Sequence, residues 1–598
     1  MKFNYKKLLL YSIVLYAILF AYYVLTSNGL GNKPFYLQLR RFIPMSIVCI
    51  LTLSVILTQV KKKFFSSFAI MSVLWMLVYP IIYKITFFQT IPFFSHHFDI
   101  VFACYSFAGL TALSILALHI KAEKPWKLLL SMTQLFLISL PILEIVYYIY
   151  YGTAVSEAAI MSIYQTNQEE AKEFVIQNIG YIGIIATCVL IIVTFLLIYK
   201  INTQNLQLLP NSKLTKKQLI FLALVGISAT AYSFANALPQ SGIMQLNTDV
   251  RNYFTAIKKF NSYHDENYQK LFVYHEDKIK KPHTIILVIG ESASRTYMSA
   301  FNDKAAYDST PWLKAQKSNP NFYIFPHAYT SWGQTVPSLE RALTTKNQYN
   351  DIDFNQSTTI IDIAKKSGYY TSWFSNQGTI DVADTPITLV GKTADTAKWT
   401  NQDPSVQQYD GALLNYLKTV DPNKNNFIIL HFMGSHDNYQ NRYPREFAKW
   451  GNPNINEPVI DYHNSLYYSD YVLSQIYKYC TENLNLQAMI YFSDHGASPD
   501  SKRIADKFGF VSLRVPLFVY MADSYKQAYP QVAQSIAINH NKYFTNDLMY
   551  DMVCGLLDVK SNKYNPKQSI LSEQYEFTHE SLKTKLGKIP LTEDTNEQ

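Results

Sequence analysis

An aspartate and a histidine stand side by side in Ser493-Asp494-His495-Gly496, directly after the apolar run Ala488-Met489-Ile490-Tyr491-Phe492. A run of that length reads as a buried strand, so both side chains emerge at its carboxyl end, where open α/β sheets place their ligands. Adjacent residues on an extended chain face opposite ways, and Gly496 supplies the bend that lets both reach one ion. A second strand-to-loop signal, residues 284–289 followed by Gly290, delivers the carboxylate of Glu291 in the same manner. Between these two segments, Thr335 precedes Val336-Pro337-Ser338-Leu339, where the proline suits a first helical turn and the threonine suits an N-cap. A carboxylate, an Asp-His pair and a hydroxyl at a helix start are what a hydrolytic zinc site with a threonine nucleophile requires. Taken singly, each has a plainer role: a solvated acid, a buried hydrogen-bonded pair and a helix cap.

The elements that must position these residues follow from periodicity. From His283 onward, strand-like runs at 284–289, 322–325, 369–374, 427–432, 488–492 and 516–520 alternate with helical patterns at 359–367, 411–419, 462–480 and 546–557. Such alternation predicts a mostly parallel sheet sandwiched by helices. His431 points into its strand and reads as core, whereas His436 lies just beyond that strand in a Gly434-Ser435-His436 turn.

The rest of the chain is of another kind. It has 598 residues, 15% of them aromatic and only 16% charged, which marks a membrane component. Seven apolar runs are long enough to span a bilayer, at about 8–26, 42–60, 64–88, 98–120, 126–151, 179–199 and 219–238. The first is too long for a signal peptide and lacks a small-residue cleavage site. Lysines before the first run and after the second, fourth and sixth fall on one side, which the positive-inside rule makes cytoplasmic, so everything after Leu238 lies outside. Lys33, Arg40 and Arg41, in the first external loop, dilute this pattern without reversing it.

The net charge of +9 does not signal nucleic acid. Residues 1–247 carry 18 Lys+Arg against 7 Asp+Glu, leaving 35 against 37 for the remainder, so the excess is topological. One acid reads as lying inside a span, Glu144, but Tyr147, Tyr148, Tyr150 and Tyr151 place it near an interface. Residues 157–177 read as an external amphipathic helix. The organisation is a transmembrane domain at 1–239, an interfacial connector at 240–281 and an outer domain at 282–598. Aromatics in the connector either lie along the membrane or pack on the outer domain. Cys480 and Cys554, the two outer cysteines, either form a bridge or are core.

Gly290-Glu291-Ser292, Thr335-x-Pro337-Ser338, Gly434-Ser435-His436 and Ser493-Asp494-His495-Gly496 occur in the order and approximate spacing of the alkaline phosphatase/sulfatase superfamily. With its N-terminal spans, the chain resembles the bacterial inner-membrane phosphoethanolamine transferases that modify lipopolysaccharide. Trp373-Phe374-Ser375-Asn376, Arg442-Tyr443-Pro444 and Tyr462-His463-Asn464-Ser465 through Asp470 are secondary matches. The resemblance implies an alkaline-phosphatase-like α/β domain in the periplasm and one tightly held zinc on Glu291, Thr335, Asp494 and His495. It makes Thr335 the covalent nucleophile and puts His436 near the substrate phosphate, where an imidazole can protonate a leaving oxygen or hold a second ion. Asn376 is a further phosphate-binding candidate, or else merely shapes a turn.

The activity so implied is transfer of phosphoethanolamine from phosphatidylethanolamine to lipid A, core sugar or another envelope glycan. The alternatives are a phosphoglycerol transferase using phosphatidylglycerol, or a catalytically silent membrane sensor or scaffold. Sulfatases of the superfamily use a Cys or Ser followed by x-Pro-Ser-Arg, and Thr335 with Leu339 argues against sulfate esters. Lipid A-modifying members commonly have more disulfides, five spans and a second histidine after Asp-His-Gly, where this chain has Lys502, Arg503 and Lys507. These departures imply a distinct acceptor and speak against a second zinc.

Overall fold

A computed structural model describes residues 5–26, 43–44, 47, 66–86, 97–166, 171–172, 174–176, 179–208, 215–257, 259–377, 385–400, 408–501 and 508–596. The chain forms two compact units, one of residues 1–161 and 174–252, the other of residues 162–173 and 253–598.

The first unit is helical. Its helices are α1 (Tyr5–Thr26), α2 (Ser66–Thr86), α3 (His97–His119), α4 (Glu123–Tyr151), α6 (Gly180–Leu208), α7 (Lys216–Tyr232) and α8 (Gly242–Ile257), with α5 (Glu157–Gln165) straddling the division between units. Among the described residues, Phe98–Ala117, Glu123–Tyr151, Gly180–Gln204 and Leu219–Gln240 are long and apolar enough to cross a membrane. The runs at 8–26 and 64–88 are the helices α1 and α2, and the run at 42–60, apart from residues 43–44 and 47, lies outside the described residues. A π-turn, Ser233–Ala237, follows α7 directly. Two buried polar groups within this unit find partners on neighbouring helices: Trp75 Nε1 donates to Leu137 O at 2.9 Å, and Asn202 Nδ2 to Gln134 Oε1 at 2.7 Å. In an apolar surround such pairing is what keeps a buried amide from being costly.

The second unit is built on a seven-stranded sheet of β1 (Thr284–Gly290), β2 (Phe322–Ile324), β3 (Tyr370–Ser375), β4 (Thr396–Trp399), β5 (Asn426–His431), β6 (Leu486–Ser493) and β7 (Leu517–Met521). Its order is β2-β7-β6-β1-β5-β3-β4. The pairings β6-β1, β1-β5, β5-β3 and β3-β4 are parallel, and β7 runs antiparallel between β6 and β2. Every residue of β1, β5 and β6 is buried, so both faces of the sheet centre are covered, as their unbroken apolar runs require. All six expected strands are present. The edge strand β4 has no such run, since its Thr396-Ala397-Lys398-Trp399 is only half-buried. Helices α11 (Ile360–Lys366) and α12 (Pro458–Asn483) pack on β3 and β6. Cys480 and Cys554 are buried free thiols and form no bridge.

The connector's aromatics divide. In α9 (Phe260–Lys270), Phe260 is buried and stacks on Phe354 at 4.6 Å, and ahead of it Tyr253 donates its hydroxyl to Glu340 Oε2 at 2.6 Å. Tyr263 and Phe272 are exposed instead. His264 Nε2 lies 2.9 Å from Asp362 Oδ1, itself the N3 residue of a capping box with Thr359. Burial lowers the His264 pKa, but the hydrogen bond and charge of Asp362 outweigh it and hold the imidazole above its usual value. Its contribution to stability is therefore full below about pH 6.5 and is lost as the pH rises through the raised value. The difference in thermal midpoint between wild type and His264→Gln is expected to be largest near pH 6 and to shrink by pH 8. A difference that stays flat across that range would contradict the ion pair.

Candidate metal centre and active site

The central parallel pair β1 and β6 aligns Gly290 with Ser493, so the next residues, Glu291 and Asp494, leave adjacent strand ends at one level. Each is turned inward by its neighbours. Ser292 takes a left-handed conformation, φ 57°, and its hydroxyl donates to Glu291 Oε1 at 2.6 Å. Gly434, at φ +50°, lies so close that a Cβ there would stand 2.7 Å from the Glu291 carbonyl oxygen; only glycine suits both the angle and the space. The Asp494 backbone N–H donates to Gly290 O at 3.1 Å, locking the two loops together.

The side chains converge. His495 Nε2 is 3.4 Å from Glu291 Oε1 and 3.4 Å from Asp494 Oδ2. Ligand atoms of Glu291, Asp494 and His495 all lie within 4.8 Å of one another, and among the described residues this is the one group of three or more acidic, histidine or cysteine side chains so arranged. Thr335 Oγ1 donates to Glu291 Oε2 at 3.0 Å and sits 3.4 Å from His495 Nε2. Three distant segments thus meet at one point.

Electrostatics make that point a candidate cation site. Asp494 Oδ1 accepts from the Ser292 and His495 backbone N–H groups at 3.1 and 2.6 Å, whereas Oδ2 is fully buried with no hydrogen-bond partner. Burial, then the adjacent charge of Glu291, pushes the Asp494 carboxyl well above the usual carboxylate range. Two buried carboxylates facing each other are costly unless a positive charge sits between them. His495 Nδ1 lies 3.0 Å from the Gly496 carbonyl; donating there fixes the tautomer and leaves the Nε2 lone pair facing the carboxylates. Carboxylate oxygens, one imidazole nitrogen and a hydroxyl form a donor set that fits zinc.

Thr335 is not the cap that its sequence context suggests. Gln334, in extended conformation, is the N-cap of α10 (Thr335–Ala342), so Thr335 is the first helical residue. Its hydroxyl is thereby free of capping duty and faces the cluster. Ser338, one turn on, holds the helix in place by donating to Asp494 O at 2.6 Å, and Asn546 Nδ2 reaches both Ser338 Oγ and Asp494 O at 3.0 Å.

His436 is stapled to the same place from β5. The Ser435 backbone N–H donates to Glu291 O at 2.9 Å, Ser435 Oγ accepts from Ser465 of α12 at 2.8 Å, and Arg442 Nε donates to His436 O at 3.2 Å. His436 Nδ1 is buried without a hydrogen-bond partner. Asn376 takes the turn-shaping place, one of the two that the sequence left open. Its Nδ2 donates to Asp410 Oδ1 at 2.8 Å, and Asp410 in turn accepts from the Met433 and Gly434 backbone N–H groups. It shapes the His436 turn rather than facing the carboxylates. Its neighbour Gln377, which sequence reasoning missed, donates to Glu291 Oε2 at 3.1 Å and to Phe432 O at 2.9 Å. Position beside a strand end was the available signal, and it did not separate 376 from 377. His431 is buried, and burial drops its pKa to about 4, as a core histidine requires. Tyr462 accepts from the Ser294 N–H and donates to Ser292 O, so the motif beginning there buttresses the loop after Glu291.

Comparison with known proteins agrees with this layout. Residues 283–554 match the sulfatase family model. A phosphoethanolamine transferase, EptC, of Escherichia coli O18:K1:H7 is 26% identical over 478 residues, covering 72% of this chain and 80% of its own. Another, CptA of Salmonella typhimurium, is 26% identical over 488 residues with the same coverage. The integral membrane lipooligosaccharide phosphoethanolamine transferase A of Neisseria meningitidis, a solved structure, shares the fold over 84% of this chain and 98% of its own, with a TM-score of 0.54 and 15% identity.

Gln377 donates its amide to a carboxylate of the cluster, and loss of such a supporting bond is expected to weaken metal affinity by about 10-fold. Competition of Gln377→Ala against a chromogenic zinc chelator measures this; an affinity equal to wild type would remove Gln377 from the site. Residues 283–554 thus match the sulfatase family, in a chain similar over most of its length to phosphoethanolamine transferases.

Proposed function

We propose that this chain is a zinc-dependent transferase that moves phosphoethanolamine from phosphatidylethanolamine to a cell-envelope acceptor such as lipid A, core sugar or another glycan. The observation that carries the proposal is the Thr335 hydroxyl, 3.0 Å from Glu291 Oε2 and beside a buried cluster with an unpartnered carboxylate oxygen. Similarity to phosphoethanolamine transferases over 72% of the chain supports the transferred group.

Glu291, Asp494, His495 and Thr335 would hold the zinc. What the ion supplies when bound is a lowered pKa at the threonine hydroxyl and an offset to phosphate charge. Thr335 Oγ1 already directs its proton at Glu291 Oε2, which orients an oxygen lone pair toward incoming phosphorus. In the first half-reaction Glu291 Oε2 takes the Oγ1 proton as the Oγ1–P bond forms and the bond from phosphorus to the diacylglycerol oxygen breaks. His436, protonated, gives its proton to that oxygen and releases diacylglycerol. In the second half, neutral His436 takes a proton from the acceptor hydroxyl, whose oxygen displaces Thr335 from phosphorus while Glu291 Oε2 returns the proton to Thr335 Oγ1. Backbone N–H groups in the first turn of α10 face the reacting phosphate and favour its negative charge.

The chain sits in the inner membrane with residues 253–598 on the periplasmic side, a reading supported by the lysine distribution and by four membrane-length helices.

Intact-mass analysis of the full-length protein after exposure to phosphatidylethanolamine is expected to show one phosphoethanolamine adduct mapping to Thr335. Thr335→Ala is expected to abolish the adduct and lower transfer by about 10³-fold or more. An adduct that persists in Thr335→Ala, or a glycerophosphate adduct formed only from phosphatidylglycerol, would overturn the proposal.

A further inference from the structure

Against the loop that leads into α10 lies a short hairpin, in which Lys583–Thr584 pairs with Ile589–Pro590. It meets the loop at two carbonyls. Thr584 Oγ1 donates to Thr330 O at 2.7 Å, and the Leu586 N–H donates to Ser331 O at 3.1 Å. Thr330, Ser331 and Thr584 are all 0% exposed, so their backbone groups depend on protein partners. The N–H groups of the loop are held from other directions, Thr330 donating to Leu513 O at 2.8 Å and Ser331 to Asn546 Oδ1 at 3.1 Å. Beyond α10, Gln348 Nε2 donates to Lys583 O at 3.0 Å, and Gln348 Oε1 accepts from the Gly587 N–H at 2.9 Å. The stretches before and after the helix that carries Thr335 are thus tied to one hairpin.

That hairpin is held in a costly shape. Its tip places Lys585, Leu586 and Gly587 in succession at φ 50°, 56° and 79°, a left-handed run that side-chain-bearing residues adopt only where their surroundings impose it. The anchor is Asp594. Its buried carboxylate accepts from Arg514 Nε at 2.8 Å and Nη2 at 2.5 Å, and Oδ2 also accepts from the Tyr329 hydroxyl at 2.9 Å. Tyr329 directly precedes Thr330, and Arg514 directly follows Leu513, so the ion pair secures both partners of the Thr330 backbone bond. From there the Thr330 hydroxyl lies 2.9 Å from Ser338 Oγ, and Ser338 donates to Asp494 O. A continuous run of hydrogen bonds joins Thr584 to the first turn of α10 and to the loop that carries Asp494 and His495. Thr335 is the first residue of that helix, so its place follows the loop before it. Nucleophilic attack is steep in such placement, since an error of about 1 Å can cost on the order of 100-fold in rate.

We infer that residues 582–594 position the nucleophile, with Thr584 and Asp594 as positioning residues that set where Thr335 Oγ1 stands against the carboxylate cluster. The inference rests on the transfer reaction proposed above. Both residues act through Thr330 and Ser338, and neither is one of the proposed metal ligands.

The test follows the rate of adduct formation on Thr335 by intact mass, using zinc-loaded full-length protein in phosphatidylcholine nanodiscs with a rising fraction of phosphatidylethanolamine. Thr584→Val keeps the shape of the side chain and removes its hydroxyl; Asp594→Asn removes the charge facing Arg514. Both variants are expected to keep the zinc content and half-saturating donor fraction of wild type, and to form the adduct about 10-fold more slowly at saturation. Thr584→Ser, which restores the hydroxyl, is expected to restore the rate. Circular dichroism reports the folded fraction, and Thr584→Val decides the matter should Asp594→Asn not fold. An adduct that forms in wild type and at the same rate per folded, zinc-loaded chain in Thr584→Val would overturn this inference alone. So would a Thr584→Ser rate as slow as that of Thr584→Val. Absence of any adduct in wild type would overturn the transfer reaction and this inference with it.

Discussion

Two carboxylates that cannot escape each other govern this molecule. Glu291 and Asp494 leave neighbouring strands at the same level, are shut away from water, and have His495 between them. Nothing in the apolar sheet centre offsets that charge, so the arrangement is favourable only around a cation. The surrounding structure is arranged to stop the pair relaxing apart. The Ser292 turn, the backbone of Gly434 pressed on Glu291, and the clamp of Ser338 and Asn546 on the Asp494 carbonyl each remove one way of moving. Thr335 is brought in by that same clamp, because Ser338 and Thr335 lie on one short helix. The positions of the proposed nucleophile and of the proposed metal ligands are therefore one constraint, and a change that loosens either loosens both.

Much of this was readable in advance, for a physical reason. Strands buried on both faces must be apolar throughout, so β1, β5 and β6 announce themselves, and residues placed just past their ends are candidates for chemistry. What was not readable depended on side-chain direction. Thr335 looked like a cap because threonine before a helical turn with proline usually is one; the chain instead gives that place to Gln334 and turns the hydroxyl toward the cluster. Asn376 and Gln377 are both amides at the end of β3, and only the coordinates show that the first supports Asp410 while the second reaches Glu291. The edge strand β4 is half-buried and carries no apolar run. Whether Cys480 and Cys554 meet was open from spacing, since connectivity is a three-dimensional fact, and they do not.

The membrane unit teaches the complementary lesson. Tyrosines after Glu144 suggested an interfacial acid in contact with water, yet Glu144 is 1% exposed and faces inward beside Asp99, which lies too near the start of its span to draw notice. Both units thus bury a pair of acids at the meeting of several segments, one pair at strand ends and one at helix ends. In each, an oxygen is left without a hydrogen-bond partner, Asp494 Oδ2 in the first and Glu144 Oε2 in the second. The connector between the two compact units is also clearer in the coordinates than in the sequence, since Phe260 and His264 are committed to the sulfatase-like domain while Tyr263 and Phe272 remain exposed.

The shared-ion reading of the Glu291, Asp494, His495 and Thr335 cluster is tested most directly by X-ray absorption at the zinc edge on the purified full-length protein. The expected spectrum is that of one zinc with oxygen ligands and a single imidazole, without sulfur, and it should vanish in Asp494→Ala. A protein that carries no zinc when purified with zinc present, or a zinc signal unchanged by that substitution, would contradict it.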